Sequence, residues 1–207
     1  EVSAAAETVK KISQLSLEAM LMEVAASPAP GLVDRFNSGA HDDMDLMTFL
    51  RSSSALSSAM TELSRVGVAH VGPRPELLPK IRSIGIRAEH DMFNATYGVN
   101  TQKGLLFLLG ILTAAAGNVL GPSAKAGITG GGLASAICDC AAQICGGLVA
   151  RELESLKHQR PERQLTAGEH YYLAHGFTGI RGEIEAGPPT GLSACLPRLK
   201  ETLAPGP

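Results

Sequence analysis

The chain has 207 residues, a formal net charge of -2, 44% hydrophobic and 18% charged residues, 23 glycines and no tryptophan. The near-neutral charge supplies no basic field for wrapping nucleic acid, and the core must be built from Ala, Leu, Ile, Val and Met. The longest apolar run, Leu105 to Ala116, is shorter than the roughly 20 residues a membrane span needs, and no signal-peptide pattern opens the sequence. A soluble, cytoplasmic protein with neither a nucleic-acid nor a membrane partner is therefore the expectation.

Ile12, Leu15, Ala19, Met22 and Ala26 recur at helical spacing, which predicts an amphipathic helix over residues 8–26. Ser27-Pro28-Ala29-Pro30-Gly31 ends it, because proline lacks the amide hydrogen and restricts the preceding residue. Residues 32–45 have no clean period and form a polar loop carrying Asp34, Arg35, Asn37, His41, Asp42, Asp43 and Asp45. A second helix is predicted from near Met44 to about Val66, and the three prolines in 67–79 mark a loop. A third helix, 80–96, carries Glu89, His90 and Asp91. Gly98-Val99-Asn100-Thr101 breaks it, and Lys103-Gly104 opens an apolar helix over 105–116. Gly130-Gly131-Gly132 precedes a helix at 133–156, and a last helix at 166–175 leads into the polar stretch 176–183. Gly127 to Gly132 lacks the Gly-Lys-Ser/Thr and the preceding strand of a phosphate-binding loop, so it reads as a glycine-rich helix entry or crossover. No segment alternates as a strand and no repeat has a fixed period. The expected fold is all-α: one compact multi-helix bundle over 1–207, with polar Gly/Pro-rich breaks between helices.

Cys138, Cys140, Cys145 and Cys195 lack the spacing of a zinc site and are expected as small buried hydrophobes in a reducing compartment. His70, His90, His158, His170 and His175 belong to no motif and are expected at the surface. Glu23 is either a buried acid or the edge of the first helix's polar face. Glu1 stands where an initiating methionine would, and Leu203 to Pro207 is turn-rich, so both ends are expected to be trimmed.

Three breaks, 28–45, 96–104 and 176–183, combine glycines with carboxylates, amides and cations. Breaks of this kind between apolar helices can set several polar groups around one cavity. Pro28-x-Pro30-Gly31-Leu32-Val33-Asp34-Arg35-x-Asn37-x-Gly39-Ala40-His41-x-Asp43-Met44 resembles the signature of the triphosphoribosyl-dephospho-CoA synthase family. Ala88-Glu89, Met92 and Thr96-x-Gly98-Val99-Asn100-Thr101-x-Lys103-Gly104 resemble its second motif, and Gly179-Ile180-Arg181-Gly182-Glu183 its third. The motifs occur in the family's order. Gln102 stands where the family commonly has histidine, and the family's C-terminal Asp-Thr-Asn and Ser-Pro-Gly-Gly-Ser-Ala-Asp stretches have no counterpart after Glu183. The chain is thus expected to lack the family's usual C-terminal part.

The resemblance implies joining of ATP to 3'-dephospho-CoA with release of adenine, magnesium as cofactor, and a product destined for the prosthetic group of citrate lyase or malonate decarboxylase. The downstream partners it implies are a second transferase and the acyl carrier protein of the lyase or decarboxylase. Self-association into a homo-oligomer is left open. For that chemistry Asp34, Asp43, Glu89 and Glu183 are candidate magnesium ligands, and Asp34, Asp43, Glu89 and His41 the candidate catalytic groups. Magnesium takes only one or two protein carboxylates beside substrate phosphates, which leaves another carboxylate free as general base. Arg35, Lys103 and Arg181 suit phosphate, Lys103-Gly104 lies at a helix start that attracts anions, and Asn37, Asn100 and Thr101 can orient ribose or phosphate oxygens. His41 could instead donate to a phosphate or the departing adenine. Structural roles compete: capping or solvation for Asp34, Asp42, Asp43 and Asp45, pairing with Arg87 or Arg82 for Glu89, and a satisfied structural histidine for His41. Two other functions share these residues, a non-catalytic nucleotide- or partner-binding module and a magnesium-dependent hydrolase of ribosyl or phosphate compounds.

Overall fold

The computed structural model describes residues 2–121, 131–158 and 162–203, and their regular structure is entirely helical, as expected. The chain divides into two compact units, residues 1–125 and 126–207. In the first unit, α1 (Val2–Ala25), α2 (Leu46–Ala69), α3 (Leu77–Ala95) and α4 (Lys103–Leu120) pack together, with α2 touching each of the other three. The buried stripe of α1 is Val9, Ile12, Ser16, Met20 and Val24. This stripe is rotated from the predicted one, since Leu15 and Met22 face outward and Glu23 is exposed. Partial desolvation still pushes the Glu23 carboxyl above its ordinary range.

Asp45 starts α2 as a capping box. Its carboxylate accepts the Thr48 amide at 2.8 Å, and the Thr48 hydroxyl accepts the Asp45 amide at 3.3 Å. Helices α2 and α4 run parallel: Ser52 meets Gln102 at one end, Leu63 faces Gly110 midway, and Gly67 lies against Ala114 further on. Their crossing is close because two glycines let backbone meet backbone. A β-carbon on Gly67 would overlap the Ala114 carbonyl, and one on Gly117 would lie 2.5 Å from the Ser64 carbonyl oxygen. Helix α3 returns antiparallel, with Arg87 on Glu62 at 2.7 Å. Helix α4 is 18 residues rather than a dozen. By length and hydropathy alone it, like the run 132–157, matches a membrane span, but half of α4 is buried against its neighbours.

The second unit contains α5 (Gly131–Cys145), α6 (Leu148–Glu152), a 3-10 turn (Glu154–Lys157), α7 (Ala167–His175), α8 (Gly179–Glu185) and a π turn (Gly191–Cys195) running into α9 (Leu196–Leu203). The helix predicted over 133–156 is broken at Gly147, whose φ of 74° is left-handed. Glu185 completes the break by accepting the Gly147 and Val149 amides at 2.6 and 2.8 Å, donors that the start of α6 would leave unpaired. The third polar motif is not a loop throughout, because Gly179 onward is helix α8, and α7 is not the last helix. Residues 127–130 of the glycine-rich stretch and the tail 204–207 lie outside the described residues.

Two further expectations change. His70 is buried: its Nε2 lies 3.1 Å from the Pro73 carbonyl and its Nδ1 3.3 Å from the Lys80 ammonium. Its place where α2 turns into the next segment was invisible to helical periodicity. Cys140 and Cys145 are buried and Cys138 partly so, but Cys195 is exposed on the π turn.

Candidate functional site

The 28–45 segment is organised from within by Asp34, which is buried together with Val33, whereas Gly31, Leu32, Arg35, Phe36 and Asn37 on either side are exposed. One carboxylate oxygen accepts the Phe36 amide at 2.8 Å and the Asn37 amide at 3.0 Å, with the Asn37 side-chain amide at 3.3 Å. The other accepts the Ser27 hydroxyl at 2.8 Å and the Ala29 amide at 3.4 Å. The Phe36 amide, the Ser27 hydroxyl and the two remaining backbone amides hold its carboxyl below the usual range. Asn37 extends the scaffold by accepting the Gly39 amide at 2.8 Å. Gly39 is left-handed, with φ 59°, and a β-carbon there would overlap the Leu32 carbonyl. Around this frame the functional groups face outward: Arg35 lies over the Phe36 ring, and His41 Nδ1 is 3.8 Å from the exposed Asp43.

The second break is built differently. Thr96, 2% exposed, ends α3 by donating its hydroxyl to the Met92 and Val99 carbonyls. Gln102 precedes α4 and is buried. Its Oε1 accepts the Ser52 and Ser53 hydroxyls at 2.8 and 3.2 Å, while Thr101 donates to Ser52 at 2.8 Å. Gln102 makes no side-chain cap to the helix, so the first amides of α4 are not claimed by it. Lys103 at that start reaches Glu89 on α3 at 2.5 Å, and Arg87 is engaged by Glu62. Asn100 is exposed.

These two motifs share one end of the first unit. The 28–45 segment leads into the start of α2 at Asp45, and the second break packs on Ser52 and Ser53. Ser52 is seven residues along α2, about 10 Å at 1.5 Å per residue. Glu89 and Lys103 are brought into contact, as are His41 and Asp43. Among the described residues no hydrogen bond or ion pair joins Asp34 or Asp43 to Glu89 or Lys103. In the second unit Arg181 pairs with Glu152 at 2.8 Å, and Glu183 accepts the Thr190 amide at 2.8 Å. Ser52 and Ser53 were missed by sequence reasoning, since serines inside a helical period carry no signal of a partner 49 or 50 residues away.

Among the described residues no group of three or more His, Cys, Asp or Glu side chains is set to hold a metal. A donor set of that size is not what magnesium requires, since it binds one or two carboxylates and keeps water and phosphate for the rest. Asp43 and Glu89 fit that pattern: Asp43 is exposed, and only one oxygen of Glu89 is engaged by Lys103. Asp34 fits less well, because both its oxygens are already occupied by donors.

Residues 9–206 match the family of ATP:dephospho-CoA triphosphoribosyl transferases. The chain is similar to a probable 2-(5''-triphosphoribosyl)-3'-dephosphocoenzyme-A synthase of Pectobacterium carotovorum, at 39% identity over 97% of this chain and 63% of that protein. It is also 40% identical to the 2-(5''-triphosphoribosyl)-3'-dephosphocoenzyme-A synthase of Pectobacterium atrosepticum, over 94% of this chain and 62% of that protein. The chain therefore spans a little under two thirds of the length of these curated relatives. No solved structure matches it. The family match runs through all three polar motifs and nearly the whole sequence, and the chain belongs to the ATP:dephospho-CoA triphosphoribosyl transferase family.

Proposed function

We propose that the chain acts as a triphosphoribosyl transferase that joins ATP to 3'-dephospho-CoA and releases adenine. The 2'-hydroxyl oxygen of dephospho-CoA bonds to the ribose carbon that carries the base in ATP. The carbon–nitrogen bond to adenine breaks with its electron pair leaving on the base. The hydroxyl proton passes to a carboxylate, and adenine departs protonated with help from a donor. The triphosphate stays on the transferred ribose. The product would be 2'-(5''-triphosphoribosyl)-3'-dephospho-CoA, for a second transferase and the acyl carrier protein of citrate lyase or malonate decarboxylase, in the cytoplasm.

The observation that carries this reading is the start of α4, where Lys103 and Thr101 stand beside helix amides left uncapped by Gln102. A polyanion is the ligand such a group suits. Lys103 would exchange Glu89 for a phosphate oxygen, freeing the Glu89 carboxylate beside the bound triphosphate. Asp43 and Glu89 would hold magnesium, with whichever is not engaged available as base, and His41 would serve the leaving adenine. Magnesium, when bound, supplies neutralisation of the triphosphate charge. Asp34 supports the reading as the residue that shapes the loop presenting Arg35, His41 and Asp43.

Incubation with ATP, magnesium and dephospho-CoA tests it. Free adenine formed together with a dephospho-CoA product heavier by one triphosphoribosyl group is expected. Adenine or phosphate release independent of dephospho-CoA would point to a hydrolase, and ATP binding without turnover to a binding module. Either would overturn the transferase assignment for this chain.

A further inference from the structure

Tyr97 occupies a backbone conformation that bulky residues avoid. Its φ of 57° is left-handed, and it is the only non-glycine residue with positive φ among the described residues. Holding a residue there is strained, and such outliers concentrate at ligand clamps. Burial does not compensate, because Tyr97 is 85% exposed, the most exposed of the large hydrophobic side chains described. One feature does orient the ring: the Arg51 guanidinium of α2 lies 5.9 Å from its centroid. Tyr97 lies four residues before Thr101 in the same break, and Thr101 donates to Ser52, which in turn donates to Gln102 at the start of α4. The break therefore presents a flat, solvent-facing aromatic surface, steadied by a cation, in the same short segment that leads to Thr101 and Lys103.

We infer that Tyr97 is a stacking platform for the adenine ring of a nucleotide substrate, with Arg51 positioning the tyrosine. This rests on the transferase reading and adds a base-recognition element to it. Aromatic rings stack on any nucleobase, since every base has a π-face, and an arginine beside the stack adds a cation–π contribution. Both ATP and dephospho-CoA carry adenine, so the experiment separates them.

The test measures binding of ATP, inorganic triphosphate, dephospho-CoA and 4'-phosphopantetheine to the native chain, Tyr97→Phe and Tyr97→Asn, by calorimetry. Asparagine tolerates the left-handed backbone, so Tyr97→Asn removes the ring without adding strain, and unchanged circular dichroism checks the fold. The expected result is a loss of about five- to hundredfold in affinity for ATP or dephospho-CoA in Tyr97→Asn. Triphosphate and phosphopantetheine should bind as before, and Tyr97→Phe should match the native chain. Which adenine ligand weakens tells which base stacks. Native-like affinity of Tyr97→Asn for both adenine ligands overturns the inference while leaving the transferase reading intact, as does equal weakening of the base-free fragments. If the native chain binds neither ATP nor dephospho-CoA, both fall together.

Discussion

Glu89 near the end of α3 and Lys103 at the first position of α4 meet at 2.5 Å across the break between the two helices. Both side chains remain partly exposed, 32% for the glutamate and 45% for the lysine. An ion pair this wet contributes no more than about 1 kcal/mol to folding, so its importance should show in turnover. Lys103→Ala is expected to lower adenine release by about a hundredfold or more while shifting the urea midpoint little. Near-native turnover in this variant would remove Lys103 from the phosphate site.

Asp34 should behave in the opposite way. Its oxygens accept five hydrogen bonds, four from within the 28–45 loop and one from Ser27 just before it, and an amide in its place would turn one acceptor into a donor facing other donors. Asp34→Asn is expected to open this loop to limited proteolysis and to cut turnover, with the helical circular-dichroism signal retained. A variant with native protease resistance would show that the carboxylate does not hold the loop.

The α2–α4 crossing makes a prediction of sign. Alanine normally stabilises a helix interior relative to glycine by roughly 0.5–1 kcal/mol. Gly85→Ala on α3, where an added β-carbon meets nothing within 4 Å, should show that gain. Gly67→Ala should instead destabilise by about 1–3 kcal/mol, because the new carbon would overlap the Ala114 carbonyl and force the helices apart. Denaturant unfolding of the two variants side by side decides it; equal effects would mean the crossing is not close.

In the second unit, Glu169 is 2% exposed and receives Arg163 at 2.7 Å and the Thr166 amide at 2.7 Å. The Arg163 hydrogen bonds, against a burial cost, hold its carboxyl at about 2. A folded pKa below the unfolded one means that the stabilisation is complete above the ordinary glutamate value near 4.5 and is lost as pH falls from there toward about 2. Amides of α7 should therefore lose hydrogen-exchange protection across that interval. Glu169→Gln should weaken protection already at neutral pH and flatten the dependence; an unchanged acid profile would exclude Glu169 as its source.

The helical class and most helix positions of the first unit were legible because their causes are local. Proline at 28 and 30 and glycine at 98 end periodic segments whichever partners they meet, and Asp45 caps the residues that follow it. The glycine-containing motif 179–183 reads as a break because Gly179 and Gly182 lower helix propensity, yet Ile184 is fully buried and anchors α8 there. Burial is a tertiary quantity, and it outweighed propensity.

The sequence by itself determined the helical class, the first two breaks and the polar residues that gather in them, through patterns read within a few turns of chain. Only the tertiary structure decided what those residues do to one another. It turned Asp34 inward onto its own loop, gave Glu89 to Lys103 and Arg87 to Glu62, and buried Gln102 on Ser52 and Ser53. The physical reason is that helix formation follows from neighbours in sequence, whereas the partner of a charge or an amide depends on which helices cross and how closely. Here the crossing is set by Gly67 and Gly117, whose missing side chains let α2 and α4 meet backbone to backbone.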